Sequence, residues 1–207
     1  MTGILGAAIL VGLGYLIGAL PFGLLVGRLA GVDLRDHGSG RTGATNALRT
    51  LGTAGAATTF ILDLAKGALA VALAWWLYQA GAPGSAPWVA AAAGLAAIAG
   101  HIRSVFIGFR GGRGMATFTG AMLATSPWTA AILLPVVVLL VWRTRFVSLG
   151  SVIGSLLAPV ATVALVAAGQ ATWAGVGLGI GGAALVTAAH ADNIGRLRAG
   201  TERRIGA

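Results

Sequence analysis

The chain has 207 residues, of which 57% are hydrophobic and only 9% are charged, and its mean hydropathy is +0.89. Soluble globular domains carry about 25% charged residues, so this composition excludes a water-soluble globule and predicts an all-α, polytopic integral membrane protein. The 34 glycines follow no G-X-Y period and accompany many aliphatic residues, which excludes collagen and disorder. The absence of cysteine excludes disulfides, thiolate metal sites and cysteine nucleophiles.

The charges are strongly unbalanced along this apolar chain. Fourteen Lys and Arg residues against five Asp and Glu residues give a formal net charge of +9. In a membrane protein this excess indicates cytoplasmic loops and binding of anionic lipid or phosphate ligands, rather than binding of nucleic acid. The three histidines are scattered in the sequence, so we expect no metal site and no cofactor.

An uncharged interval of ~20 residues or more is long enough for one helix to cross a bilayer. The first, Met1 to Gly27, predicts one spanning helix. It lacks a basic n-region and an A-x-A cleavage site, so we expect a retained helix rather than a signal peptide. A polar, basic loop from Arg28 to Thr50 follows. From Leu51 the sequence predicts a helical hairpin that turns between Gln79 and Pro87 and returns at His101.

Two more uncharged intervals follow. Gly114 to Trp142, with Ser126-Pro127 inside it, suits one long helix or two short ones, and Phe146 to Ala189 suits two helices with a break near Gly169-Gln170. If Gly114 to Trp142 crosses twice, every Lys, Arg, Asp, Glu and His lies on or opens to one face. A single crossing would place the basic tail, His190 to Ala207, outside. The positive-inside rule therefore predicts seven transmembrane helices, with the N-terminus outside and the C-terminus cytoplasmic.

Positions for a topology test follow from this arrangement. We expect Ser85 and Ser126 to face the outside. Ser39 and Ser104 are expected on the cytoplasmic side with the C-terminus, and the chain shows no second domain. Most glycines are expected to pack helices closely, as small residues do in membranes.

The first of three polar clusters runs from Asp33 to Arg49. Gly38, Gly40 and Gly43 have the G-x-G-x-x-G spacing, but the flanking membrane helices exclude a dinucleotide-binding βαβ unit. Glycines expose backbone N–H groups, and short polar or basic side chains add further donors for an oxyanion. These side chains belong to Ser39, Arg41, Thr42, Thr45, Asn46 and Arg49. The alternative is a solvated cytoplasmic loop.

The second cluster, Gly100 to Thr117, is a glycine-rich basic turn that opens into a helix. Gly111, Gly112 and Gly114 surround Arg113. A cation beside a helix N-terminus favours phosphate, although no Walker A motif is present. The alternative is a positively charged membrane anchor with a glycine turn.

The third cluster, His190 to Arg204, follows the last apolar interval. His190, Asn193 and Arg196 share one side if the preceding helix continues. The alternative is an amphipathic basic tail on anionic lipid.

Asp63 and Lys66 stand three residues apart inside an apolar helix. Ionisable residues at membrane depth are costly and point to a functional role. The alternative is a pair that neutralises itself, or a Lys66 side chain that extends to the basic face. Both interpretations stay open from the sequence.

In order and spacing, the polar segments resemble one family. The segments are Leu20-Pro-Phe-Gly23, Gly38 to Arg49, Asp63-x-x-Lys-Gly67, Gly100-His101, Phe109 to Gly114 and His190 to Leu197. They are similar to those of the bacterial membrane acyl-phosphate:glycerol-3-phosphate acyltransferases, the PlsY family. The resemblance covers nearly the whole chain and implies one domain over residues 1–207. It implies transfer of a fatty acyl group from acyl phosphate to the sn-1 hydroxyl of glycerol 3-phosphate, the first step of phospholipid synthesis.

The resemblance also implies roles for individual residues. Catalytic roles fall on Ser39, Arg49, His190 and Asn193, and structural roles on Asp63 and Glu202. Binding of substrate and phosphate falls on Gly40, Arg41, Gly43, Thr45, Asn46, Lys66, His101, Gly111, Gly112, Arg113, Gly114 and Ser148. Three positions depart from the family pattern, since Arg41 stands where Asn is usual, Arg113 where Lys is usual, and Ser104 where Pro is expected.

The implied partners are acyl phosphate, glycerol 3-phosphate and membrane lipid, with no cofactor, metal or nucleic acid. We expect a monomer in the bacterial plasma (inner) membrane with its active site on the cytoplasmic face. The products are lysophosphatidic acid and phosphate, and His190, His101 or a substrate phosphate oxygen is the expected base. The alternatives are a transporter for a small organic anion and an inactive family member that binds lipid phosphate. An outer half without ionisable groups argues against a transport path.

Overall fold

The computed structural model describes residues 3–79 and 81–206. Within these ranges the secondary structure is helical, without strands, and contains nine α-helices. They are α1 (Gly3–Ala19), α2 (Phe22–Leu29), α3 (Ala44–Gln79), α4 (Ala86–Ile102), α5 (Met115–Thr125), α6 (Pro127–Thr144), α7 (Val147–Ala167), α8 (Trp173–Ala189) and α9 (Ala191–Arg198). Met1 and Ala207, the expected ends of the first span and of the basic tail, lie outside the described residues.

Five segments of the described chain are long and apolar enough to cross a membrane. They become six if α8 and α9, which are bent by 62° relative to each other, are counted as one broken span. The expected breaks at Ser126 and near Gly169-Gln170 are present. However, α5 has only 11 residues, about 16 Å of helix against a hydrocarbon core of about 30 Å. The all-α membrane architecture is confirmed, whereas seven crossings and their orientation stay predictions.

Three boundaries differ from the sequence-based expectation. The first span breaks at Leu20-Pro21, where proline has no N–H to donate, and continues as α2. The first polar loop ends at Gly43 rather than at Thr50, since α3 begins earlier and is interrupted at Gly52, whose φ of 75° suits glycine. The chain bends at His190 between α8 and α9, so the last helix does not continue straight into the third cluster.

Helices α1 and α4 cross with their backbones in contact. Gly14 and Gly18 form a G-x-x-x-G pair on α1. A Cβ atom added to Gly14 would overlap the backbone of Ala93, and one added to Gly18 would overlap the backbone of Ala97. Small residues allow this approach, and van der Waals packing then holds the helices together in lipid.

The crossing of α3 and α5 is equally close. Gly67 lies against the carbonyl group of Thr117, and Gly120 lies against the carbonyl group of Leu64, so neither position has space for a Cβ atom. The first turn of α5 is thereby held beside the polar part of α3. Residues from both parts line the cavity that the three polar clusters enclose.

These contacts predict that Gly18→Ala destabilises the protein. The added methyl group must push α1 away from Ala97, and overpacking of this kind costs about 1–3 kcal/mol. Gly12→Ala is the matched control, because Gly12 lies on the same helix with open space around it. Thermal unfolding in detergent should show a lower midpoint for Gly18→Ala alone. Equal midpoints for the two variants would contradict the packing argument.

Candidate active site

The loops at one end of the bundle enclose a cavity of about 140 Å³. All three polar clusters contribute to its lining, together with α3, α5 and α7. Every residue to which the family resemblance assigned a role lines this cavity except Gly40, Lys66, Gly111 and Gly112, and the candidate donor Thr42 also lies outside the lining. The fold thus brings together residues that are up to about 160 positions apart in the chain.

Asn46 holds the first polar cluster in shape. Its Nδ2 donates to the carbonyl oxygens of Leu34 at 2.9 Å, His37 at 3.0 Å and Arg41 at 2.9 Å. Its Oδ1 accepts from the backbone N–H of Ser39 at 2.9 Å. Asn46 is buried and its polar atoms are engaged within the loop. It thereby folds the loop that places Ser39 in the cavity lining. Its expected substrate contact stays a prediction.

The glycines of the second cluster serve close packing. A Cβ atom at Gly111 would overlap the carbonyl oxygen of His101, and one at Gly112 would overlap the His101 ring. The N–H of Gly112 donates to the carbonyl oxygen of His101 at 3.2 Å. Gly40, with a φ of 66°, turns the first cluster outside the lining. These three glycines thus have structural roles, and their expected phosphate contacts stay predictions.

Asp63, Lys66 and His101 form a buried ionic group on α3 and α4. Lys66 Nζ lies 2.8 Å from Asp63 Oδ1 and donates to the carbonyl oxygen of Leu20 at 2.7 Å. His101 Nδ1 lies 3.4 Å from Asp63 Oδ1. Lys66 thus ties α3 to the chain at the Pro21 break instead of reaching the cavity. This favours the self-neutralising pair, and the expected substrate contact of Lys66 stays a prediction.

Glu202 links the third cluster to α7. Its Oε1 accepts from Ser148 Oγ at 2.8 Å and from Asn193 Nδ2 at 2.6 Å, and its Oε2 accepts from Arg196 Nε at 2.7 Å. Burial by itself raises the pKa of Glu202, but these hydrogen bonds outweigh it and leave the pKa below its ordinary value. The bond fixes the amide plane of Asn193. Asn193 Oδ1 is buried and accepts no hydrogen bond from the described residues, which leaves it for a ligand donor.

His190 lies at the bend between α8 and α9, where it is buried. Its Nδ1 is 2.8 Å from the carbonyl oxygen of Val186, and because a carbonyl only accepts, Nδ1 carries a proton. Burial lowers the pKa of His190 below its ordinary value, so the ring is neutral near pH 7. Nε2 is then the free acceptor of the ring.

Guanidinium groups dominate the charge of the cavity. Four arginines line it: Arg41, Arg49, Arg113 and Arg203. Burial, and then the positive charge of Arg113, lower the pKa of Arg41, which shows that like charges are crowded here. Two lining carboxylates do not balance four cations, so the cavity favours anions, and phosphate above all. The sequence analysis did not single out Arg203, since residue type alone does not separate it from the other tail arginines.

Apolar side chains also line the cavity. Phe60 of α3, Met115 of α5 and Val147 of α7 are the three large ones and are called the apolar wall below; the buried Ser151 lines the cavity as well. The sequence analysis missed these residues because apolar side chains are ordinary in spanning helices. The lining thus combines groups that suit hydrocarbon with groups that suit anions.

The comparison with known proteins agrees with this geometry. The family model for glycerol-3-phosphate acyltransferase matches residues 8–200. The chain belongs to the glycerol-3-phosphate acyltransferase family. This acyltransferase is 42% identical over 200 residues to the glycerol-3-phosphate acyltransferase of Geobacter sulfurreducens. The matched segment covers 97% of this chain and 98% of that relative. It is 42% identical over 194 residues to that of Thermus thermophilus, with coverage of 94% and 92%.

Solved structures show the same fold. The crystal structure of PlsY (YgiH), an integral membrane glycerol 3-phosphate acyltransferase, aligns in its glycerol 3-phosphate form with a TM-score of 0.84 and 36% identity, over 97% of this chain and 96% of that chain. Its lysophosphatidic acid form aligns with a TM-score of 0.83 and 35% identity, over 97% and 95%. The family resemblance is confirmed, and the acyltransferase is an integral membrane protein with several spans.

The contacts of Asn46 predict a structural effect for its replacement. Asn46→Ala leaves three carbonyl groups and one N–H without this partner, at about 1–3 kcal/mol for each buried group. We expect thermal stability and acyltransferase activity to fall together. Thr45→Ala, at a neighbouring lining residue with no side-chain hydrogen bond among the described residues, should keep the stability. A stable Asn46→Ala with only a raised KM would support the substrate role instead.

Proposed function

We propose that this protein transfers a fatty acyl group from acyl phosphate to the sn-1 hydroxyl of glycerol 3-phosphate. The products are lysophosphatidic acid and phosphate, in the first step of phospholipid synthesis. The observation that carries the proposal is a single cavity that combines four guanidinium groups, the acceptors of His190 and Asn193, and an apolar wall. Glycerol 3-phosphate and lysophosphatidic acid, named for the two forms of PlsY, are the corresponding acceptor substrate and product.

The reaction depends mainly on the positioning of its two substrates. The hydroxyl oxygen attacks the acyl carbon, the bond from that carbon to the phosphate oxygen breaks, and inorganic phosphate leaves with the electron pair. Phosphate is a good leaving group, so holding two phosphates and one hydroxyl in register supplies most of the required acceleration. The hydroxyl proton passes to an oxygen of the substrate phosphate. Ser39 donates a hydrogen bond to the acyl phosphate and forms no acyl-enzyme.

Different lining residues bind the two phosphates and the acceptor hydroxyl groups. Arg49, with Ser39, holds the acyl phosphate, and Arg113 holds the phosphate of the acceptor. His190 Nε2 and Asn193 Oδ1 each accept from one of the two hydroxyl groups of glycerol 3-phosphate and orient the molecule before the proton of the sn-1 hydroxyl is transferred, since arginines cannot accept. Further proposed contacts come from Arg41, Gly43, Thr45, His101, Gly114 and Ser148, with Asp63 and Glu202 as structural residues.

We also propose that the protein is a monomer in the bacterial plasma membrane with the cavity on the cytoplasmic side. In this arrangement α5 and α6 form a short hairpin that enters from the basic face and returns to it, which gives seven transmembrane helices in all. Support comes from the charges, because all polar clusters then lie on one face. The N-terminus is outside.

The proposed chemistry predicts that Ser39→Ala, Arg49→Ala and His190→Ala each lose most activity while the protein still folds and inserts into the membrane. Each side chain lines the cavity and supplies a donor, a cation or an acceptor there. The measurement is release of lysophosphatidic acid and phosphate by purified protein given palmitoyl phosphate and glycerol 3-phosphate.

Matched controls use the same residue types outside the lining: Ser85→Ala, Arg198→Ala and His37→Ala. These variants should keep wild-type turnover. If all three cavity variants also kept it, the assignment of the active site would be wrong.

The proposed orientation predicts the accessibility of single cysteines in this cysteine-free chain. Ser85→Cys and Gln170→Cys should react with an impermeant maleimide in intact cells, whereas Asp36→Cys and Thr201→Cys should react only after lysis. All four positions are exposed. Ser104 and Ser126 are unsuitable for this test because the structure buries both. Labelling of residue 201 from outside would reverse the topology.

A further inference from the structure

Arg113 is tied to α9 by a residue that does not line the cavity. Its Nη2 donates to Asp192 Oδ2 at 2.6 Å, and the two residues are 79 positions apart. The Arg113 side chain is 16% exposed, and its Nε is buried with no hydrogen-bond partner among the described residues. The guanidinium is therefore fixed at one end and keeps an open, buried donor that an incoming anion can satisfy.

Asp192 lies between two guanidinium groups. Besides Arg113, it lies 3.4 Å from Arg196 Nη1, and Arg196 is itself held by Glu202. Burial alone raises the pKa of Asp192, but the hydrogen bond from Arg113 and the nearby charges leave the pKa below its ordinary value. The carboxylate is thus ionised at neutral pH, and its Oδ2 lies between the guanidinium groups of Arg113 and Arg196, so it offers Arg113 a fixed acceptor.

The charges of Arg113 and Asp192 also act on Arg41. Its pKa is lowered by burial and then by Arg113, while the charge of Asp192 acts in the opposite direction. Two partly buried guanidiniums repel each other unless anions compensate them. Asp192 supplies part of that compensation in the free protein, and a bound phosphate dianion would supply the rest.

The position of the pair indicates which phosphate it meets. Arg41 and Arg113 lie on loops, and the Asp192 side chain is 44% exposed to solvent. The apolar wall, in contrast, is built from α3, α5 and α7, which contribute the side chains that suit an acyl chain. The substrate without a hydrocarbon chain is therefore the one whose phosphate fits the loop side.

On the basis of the proposed function, we propose that Asp192 is a positioning residue that aims Arg113, paired with Arg41, at the phosphate of glycerol 3-phosphate. A long arginine side chain loses rotamer freedom on binding, and a bond formed beforehand reduces that loss. An ammonium group binds as a point charge and has no plane to be aimed, so a lysine at position 113 would depend less on Asp192.

The main test is Asp192→Asn, which keeps the size of the side chain and removes its charge. We expect the KM for glycerol 3-phosphate to rise about 3- to 10-fold, in the range for ordering one long side chain. The kcat and the KM for palmitoyl phosphate should not change. Asp192→Glu, which keeps a carboxylate, should recover part of the loss. Asp33→Asn is the control, because it breaks the Arg35–Asp33 pair of 2.6 Å outside the lining.

The second test asks whether Asp192 acts through Arg113. Arg113→Ala should lower kcat/KM for glycerol 3-phosphate on the order of 10- to 100-fold, as loss of a charge-assisted hydrogen bond does. Adding Asp192→Asn to Arg113→Ala should then change nothing further. Arg113→Lys should retain activity and should respond less to Asp192→Asn than the wild type does.

Several results would overturn the proposal. A lower KM in Asp192→Asn would show that the carboxylate competes with substrate. An equal rise in both KM values, or an additive effect in the Arg113→Ala background, would show a general structural role. Unchanged kinetics for both substrates in Arg113→Ala would make the second cluster a membrane anchor.

Failure of the proposed reaction is distinguishable from failure of this inference. A wild-type protein that makes no lysophosphatidic acid from palmitoyl phosphate overturns the proposed function. In that case, calorimetric titration of the wild type and of Asp192→Asn with glycerol 3-phosphate alone still tests whether Asp192 strengthens binding of this substrate. Weaker binding to Asp192→Asn than to wild type supports the inference, and equal binding overturns it.

Discussion

Backbone contact between helices is the constraint on which the rest of the structure depends. Gly18 meets the backbone of Ala97, and Gly67 meets the carbonyl group of Thr117, with no space for a Cβ atom. Because the three polar clusters are attached to the ends of these helices, the distances between the helices set the distances between the clusters. A cavity of about 140 Å³ lined from three loops leaves little room for adjustment. Glycine on the apolar helices therefore determines the geometry of the polar site, although none of these helix glycines touches it.

Residue type and spacing predicted which segments form the polar site, but they did not predict which group each side chain contacts. The charge distribution identified all three clusters, and they share one cavity. Asn46 was expected to bind substrate because it stands among short donors, yet its amide satisfies the carbonyls of its own loop. The spacing of Asp63 and Lys66 allowed an ion pair, but the second contact of Lys66 is with Leu20, 46 positions away. Arg203 was not distinguishable from other basic tail residues.

Carboxylates organise a site that binds anions. Asp63 engages Lys66, Asp192 engages Arg113, and Glu202 engages Asn193. In each case the acid holds a donor or cation in place, which a mobile counterion cannot do. A buried charge without such a partner is costly, so Asp63 and Asp192 also offset the free-energy cost of burying Lys66 and Arg113. The four lining arginines remain in excess, and the cavity keeps a net attraction for phosphate.

The bend between α8 and α9 explains how a cavity crowded with arginines can orient a hydroxyl group. Arginine only donates hydrogen bonds, so a substrate hydroxyl needs an acceptor from elsewhere. His190 Nδ1 donates to the carbonyl oxygen of Val186, and Asn193 Nδ2 donates to Glu202. The donor of each side chain is therefore engaged within the protein. What remains on each is an acceptor, Nε2 on one and Oδ1 on the other, and both residues line the cavity. Under the proposed reaction, donors then hold the phosphates and acceptors hold the hydroxyl groups. Such a division needs no strong base, because the activated donor carries its own leaving group and the site supplies the alignment.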